Sequence, residues 1–200
     1  MVYDYLIKRK IGINAPVDPD DYLTREEKNY LQNYLNELEA LPEVKERERE
    51  AVTLSAMAGD TDAQSLLVTM YLPDVAQVAR LYSGQGVPLE DLIGEGNLAL
   101  TMGVSMLGAL EHASQAQGML GKMMMDAMEE MIQAQQNISK ADRKMAERIN
   151  KVSDAAKSLS KELHRKVTVK ELASETGLTE KSIRDAMRLS GHKIEYLEEV

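Results

Sequence analysis

The sequence predicts an all-α protein, and three observations carry that prediction. Strand signals are missing: the chain has eight tyrosines and no Phe or Trp in 200 residues, and alternation of apolar and polar residues at period two is rare. Helix-start signals recur along the chain, from Thr24 to Thr179. Charge then divides the chain in two. Residues 1–137 hold 10 Lys/Arg against 22 Asp/Glu, a net of −12, whereas residues 138–200 hold 14 against 11, a net of +3. An asymmetry of this kind suggests different partners for the two halves.

The elements follow in order. Thr24-Arg25-Glu26-Glu27 has the S/T-x-x-E form, in which the hydroxyl caps an amide and the carboxylate caps back. It opens a helix carrying Tyr30, Leu31, Tyr34, Leu35 and Leu38, which Pro42 ends. A second helix runs from about Glu46 to Met57 and stops at Gly59-Asp60. A third starts near Asp62 and reaches Met70 or Tyr71; Pro73, tolerated in a first turn, begins another over 73–82. Ser83–Gly86 is a loop, and Pro88 starts a helix with Leu89, Leu92 and Ile93. Small and apolar residues from Gly94 to Met106 suit one helix packed closely at Gly96, Ala99 and Gly103.

Residues 108–118 read as a loop or weak helix, and Met119–Gln136 as a helix. Its methionines at 119, 123, 124, 128 and 131 have helical spacing. That spacing reads first as core and alternatively as a Met-rich protein-binding surface. The polar stretch Asn137–Asp142 reads as a linker between domains at 1–137 and 138–200. Helices at about 142–163, 168–176 and 179–190 follow, with a capping box at Thr168–Glu171 and a cap at Thr179.

Composition narrows the function. Without cysteine, disulfides and thiolate metal sites are excluded. No run approaches the roughly 18 apolar residues that span a bilayer, and Met1–Gly12 lacks the order of a secretory signal. The expectation is therefore a cytoplasmic protein with no membrane partner. His112, His164 and His192 are scattered without ligand spacing, and no phosphate-cradling glycine motif follows a strand. No metal, no cofactor and no enzymatic activity are expected. A net charge of −9 argues against nucleic-acid binding by the chain taken whole.

The most informative stretch is Leu81–Leu100. Its segment Asp91-Leu92-Ile93-Gly94-Glu95-Gly96-Asn97-Leu98-Ala99-Leu100 is similar to the pattern D-L-I-Q-E-G-N-I-G-L of bacterial sigma factors of the sigma-seventy type. Upstream, Tyr34-Leu35-Asn36-Glu37-Leu38, Leu41-Pro42 and Ala58-Gly59-Asp60-Thr61-Asp62-Ala63 resemble that family's Y-L-x-E-I, L-P and A-G-D-x-x-A in the same order. The resemblance implies a helical region-two-like bundle followed by a small region-three-like unit of three helices with a helix-turn-helix. It also implies docking on RNA polymerase core, on the β′ coiled coil, through Asp91, Leu92, Ile93, Glu95, Asn97 and Leu98. Asp91, Glu95 and Leu98 share a helix face by spacing. Gly94 and Ala99 depart from the family's Gln and Gly.

In the second half, Arg143–Lys151 resembles the family's V-H-M-V-E-T-I-N-K, with Lys144 at the His position and Glu147 matching. Val167–Met187 has helix-turn-helix spacing at Ala173, Gly177 and Ile183, with Lys181, Ser182, Arg184 and Arg188 on or near the exposed face of the second helix. The expected DNA-contacting set is thus Lys144, Glu147, Arg148, Lys181, Ser182, Arg184 and Arg188, with promoter DNA as a further partner; for the helix-turn-helix unit the resemblance also implies a structural or polymerase-facing role without base reading. Two family features are missing from these residues. Ala116–Met128 occupies the place of the aromatic run that melts promoters, with Lys122 and Met123 at the Trp pair and Met125 at the Arg; no Phe, Tyr or Trp occurs from Ser83 to Glu195. A fourth region, resembling a second helix-turn-helix, is also missing. Impaired promoter melting is the expectation that follows from the missing aromatics. A helical interaction module on the same scaffold and a plain helix-turn-helix regulator stand as alternatives.

Overall fold

The computed structural model describes residues 18–40, 46–191 and 193–198; Pro42 and His192 lie outside these. Among the described residues are seven α-helices: α1 (Arg25–Glu39), α2 (Glu46–Met57), α3 (Thr61–Leu81), α4 (Leu89–Ser105), α5 (Ala116–Leu163), α6 (Val169–Thr176) and α7 (Glu180–Leu189). Short 3-10 turns at Pro19–Tyr22, Leu107–Ala109 and Ala113–Gln115 complete the list. No strand forms among the described residues; pairing is limited to one parallel bridge between Val167 and Leu197. The chain divides into two compact units, Met1–Gln135 and Gln136–Val200.

The first unit is organised around α3 and α4. Leu67, Leu89, Leu92, Ile93 and Leu100 are wholly buried, together with Leu120, Met124 and Met128 of α5. The helix starts are fixed by their own residues. In α1 the Glu27 amide donates to Thr24 Oγ1 at 3.2 Å while the Thr24 amide donates to Glu27 Oε2 at 2.9 Å. In α3 the Asp60 carboxylate accepts from the amides of Asp62 and Ala63 at 2.9 and 3.1 Å. Gly59, at φ +91°, supplies the left-handed turn just before it.

Two expectations about helix ends are corrected. Pro73 lies inside α3 and starts no new helix. A proline there loses one backbone hydrogen bond and costs about 3 kcal/mol, but the helix buries Leu67 and Tyr71 before it and Val75, Ala76 and Ala79 after it. Burial at about 1.5–3 kcal/mol per large apolar side chain outweighs the break. The stretch Asn137–Asp142, read as a linker, lies within the continuous helix α5. It holds neither Gly nor Pro, and residues 133–148 are all exposed. Its polarity is that of a solvated helix surface, which a break in structure would mimic in sequence.

The second unit packs Val152 and Ala156 of α5 against Val169 and Leu172 of α6 and Ile183 and Ala186 of α7, all buried. Thr168 and Glu171 form the expected capping box, Gly177 ends α6 at φ +69°, and Thr179 Oγ1 accepts from the Ser182 amide. A tail closes the unit. The Val167 amide donates to the Tyr196 carbonyl at 2.9 Å and the Glu198 amide to the Val167 carbonyl at 3.0 Å, burying Ile194 and Leu197.

The glycines of α4 have opposite roles. A Cβ on Gly96 would sit 2.3 Å from Met128 Cε and 2.7 Å from Val75 Cγ1, whereas one on Gly94 would meet nothing within 4 Å. In urea denaturation, Gly96→Ala is expected to lose about 1–3 kcal/mol by overpacking. Gly94→Ala is expected to gain up to about 1 kcal/mol from helix propensity.

Candidate functional site

Helix α4 begins at Leu89 with Pro88 as its cap residue, which offers no side-chain hydrogen bond. The missing cap comes from another helix: Glu27 Oε1 of α1 accepts from the Leu89 amide at 3.1 Å. One carboxylate thus serves two helix starts, and its negative charge is favourable at both. Burial raises the Glu27 pKa, but hydrogen bonds from the Thr24 amide, the Thr24 hydroxyl and the Leu89 amide together outweigh it and hold the carboxyl below its ordinary value. Sequence reading saw Glu27 only as the capping partner of Thr24; nothing local points to Leu89, more than sixty residues on.

Further contacts fasten the approach to α4. Arg80 at the end of α3 reaches Asp20 at 2.7 Å, and the Ser83 hydroxyl donates to the Pro19 carbonyl at 3.0 Å. The Tyr82 hydroxyl donates to Glu129 at 2.7 Å; burial, then that hydrogen bond and the Glu129 charge, push the Tyr82 phenol well above its usual range. Glu129 is therefore an internal acceptor.

The six residues expected to dock a partner separate into three kinds. Asp91 and Leu98 are exposed, Leu98 by 56%, and Glu95 is half-exposed. These three fall on one face of α4. Leu92 and Ile93 are 0% and 1% exposed, which corrects their expected place on the docking surface: they are the core side of the helix. Asn97 is half-buried and its Oδ1 accepts from the Tyr34 hydroxyl at 3.3 Å, so its side chain ties α1 to α4. The field around the start of α4 is negative: burial, then Glu90, Glu37 and Asp91, push the Tyr30 phenol upward.

In the second unit, Lys144, Glu147 and Arg148 are exposed on α5. Glu147 pairs with Arg143 at 3.4 Å. Lys140, Lys144, Arg148 and Lys151 form an exposed stripe, and none of them pairs with an acid among the described residues. The cations of α7 differ. Lys181, Arg184 and Arg188 are exposed and Ser182 is half-buried, but Arg184 pairs with Glu180 at 2.8 Å and Arg188 with Asp185 at 3.2 Å. The second helix of the helix-turn-helix thus balances its own arginines. Among the described residues no cluster of acids and histidines suits a metal ion, and no helix is long and apolar enough to cross a membrane.

The fold defines a helical protein with a helix-turn-helix unit at its C-terminal end. Comparison with known proteins adds the family: residues 147–194, within the second unit, match the family model for sigma-70 region 3. The chain is 27% identical over 160 residues to the RNA polymerase sigma factor SigA of a Bacillus species, covering 78% of this chain and 41% of that protein. It is 36% identical over 75 residues to the RNA polymerase sigma factor RpoH of Rhizobium radiobacter and 37% to that of Zymomonas mobilis, each covering 37% of this chain and 25% of the relative. The chain is thus similar to sigma-70 proteins over these stretches, and it spans less than half the length of these curated relatives.

The capping box of α6 yields a pH prediction. Hydrogen bonds from the Arg165 guanidinium and from Thr168 hold Glu171 down to about 2, from an ordinary value of 4.5. A depressed folded-state pKa contributes stability above the unfolded value and loses it as pH falls toward the folded one. Glu171→Gln should lower the melting temperature of the second unit at neutral pH. That gap should close between about 4.5 and about 2 when followed by circular dichroism.

Proposed function

We propose that this chain is a sigma-like protein that binds RNA polymerase core through α4, acts in transcription initiation or its regulation, and opens promoters poorly. The observation that carries the docking part is the surface of α4. Within the ten-residue match, Asp91, Glu95 and Leu98 reach solvent in one line, while Leu92, Ile93 and Gly96 lock the opposite side into the core. The acidic side chains suit a basic coiled-coil surface such as the resemblance implies on β′, and the rigid backing limits the ordering cost of binding.

The same reading assigns DNA contact to α5. Lys144 and Arg148, flanked by Lys140 and Lys151, offer cations to phosphate, and Glu147 offers an acceptor to cytosine. Lys181, Arg184 and Arg188 of α7 are secondary, because two of them already hold acids of their own helix. Poor melting follows from chemistry. Where the family resemblance puts base-stacking aromatics, Lys122 is exposed and Met123 packs toward Gly103. Each lost stacking site forfeits about 1–3 kcal/mol of captured-base energy. The reading places the protein in the cytoplasm, as a two-domain protein divided near residue 137, with no catalytic step of its own.

Charge reversal at Asp91 and Glu95 tests docking. A folded D91K/E95K chain is expected to bind polymerase core at least tenfold more weakly, about 1.4 kcal/mol or more; unchanged affinity refutes the reading. In duplex-DNA binding by the full chain, K144A/R148A should reduce the slope of log affinity against log salt by about 2. Permanganate footprinting with core polymerase should find no reactive thymines dependent on this protein alone.

A further inference from the structure

The docking face of α4 does not end with the ten-residue match. Met102 and Met106 are 54% and 53% exposed, almost the same as Leu98. At 100° per residue, positions 91, 95, 98 and 102 of α4 and its C-terminal cap residue Met106 fall within one stripe of about 80°. It runs for about 22 Å at 1.5 Å per residue. Leu54 is the remaining Leu or Met of comparable exposure among the described residues of the first unit. The stripe is graded: Asp91 and Glu95 occupy its first turns, and Leu98, Met102 and Met106 its last. Of the α5 methionines, 124 and 128 are buried in the core, and 119, 125 and 131 are half-buried and packed against it.

Resting on the docking reading above, we infer that Met102 and Met106 are part of the partner-binding surface. Their partner would be a helix that carries cations opposite Asp91 and Glu95 and large apolar side chains two to three turns further along. The carboxylates set the register and orientation, because only one direction of the partner brings its cations to them. The methionines supply adaptable apolar contact, within the helix-in-groove mode of recognition. A second copy of this chain is a poor occupant. Paired parallel, acids meet acids; paired antiparallel, the acids of one copy meet the methionines of the other. Either way carboxylates are buried without a cation, which is costly.

The test is binding of the full chain to polymerase core across a salt series, comparing wild type, M102S/M106S, M102L/M106L and D91K/E95K. Because both methionines are about half exposed, the substitutions should leave the thermal melt unchanged. M102S/M106S is expected to weaken binding about tenfold at every salt concentration with the salt slope unchanged, as expected of apolar hot spots. M102L/M106L should restore affinity, and D91K/E95K should weaken binding and flatten the slope. If M102S/M106S binds like wild type while D91K/E95K fails, the methionine extension is overturned and the docking reading stands. If neither double variant changes affinity, both are overturned. If M102S/M106S changes only the oligomeric state by sedimentation, the ridge is a self-association surface and the inference is overturned.

Discussion

The Glu27 carboxylate is the joint on which the first unit turns. One of its oxygens closes the capping box of α1 and the other caps α4, a helix whose own cap position is a proline without a side-chain acceptor. The start of α4 is thereby fixed to α1, and everything α4 presents to solvent inherits that position. Neighbouring contacts repeat the logic: Tyr34 binds Asn97, Arg80 holds Asp20, and Tyr82 binds Glu129. Polar groups that look like surface chemistry in the sequence are spent on fixing this helix.

The two units handle charge in different ways. At the start of α4 the acids Glu90 and Asp91 lie together, and their field, with that of Glu37, is felt at Tyr30. In the second unit, Arg143, Arg165, Arg184 and Arg188 each reach an acid near in sequence. Such exposed pairs contribute little stability, since solvent screens them. Their effect is on what the surface offers: cations already holding a carboxylate are poorer phosphate ligands than those of the Lys140–Lys151 stripe. An excess of positive charge over residues 138–200 is therefore a poor guide to where DNA would lie.

Where sequence reading erred, the cause was local ambiguity. Pro73 is a helix breaker by its own chemistry, and burial of apolar side chains on both sides of it carries α3 through. Asn137–Asp142 has the composition of a linker and equally that of a solvated helix; the absence of Gly and Pro was the discriminating signal. Leu92 and Ile93 were grouped with Asp91 and Glu95 because the motif runs through all of them. Helical geometry at 100° per residue sends the apolar pair inward. The glycines divide as their spacing among small and apolar residues suggested: Gly96 and Gly103 face packed side chains while Gly94 faces nothing.

The sequence by itself determined the helical class, the starts of α1, α6 and α7, the loop before α4, and the family resemblance. Each of these rests on neighbours within about four residues or on a contiguous motif, so chain-local chemistry suffices. Only the tertiary structure decided that Glu27 caps α4, that Asn97 faces Tyr34, that Glu129 is an internal acceptor, and that the tail from Ile194 to Leu197 completes the second unit. Each of those joins partners roughly thirty to sixty residues apart in sequence. Such pairings follow from how the helices pack, and packing depends on all the apolar faces at once, which no local window contains.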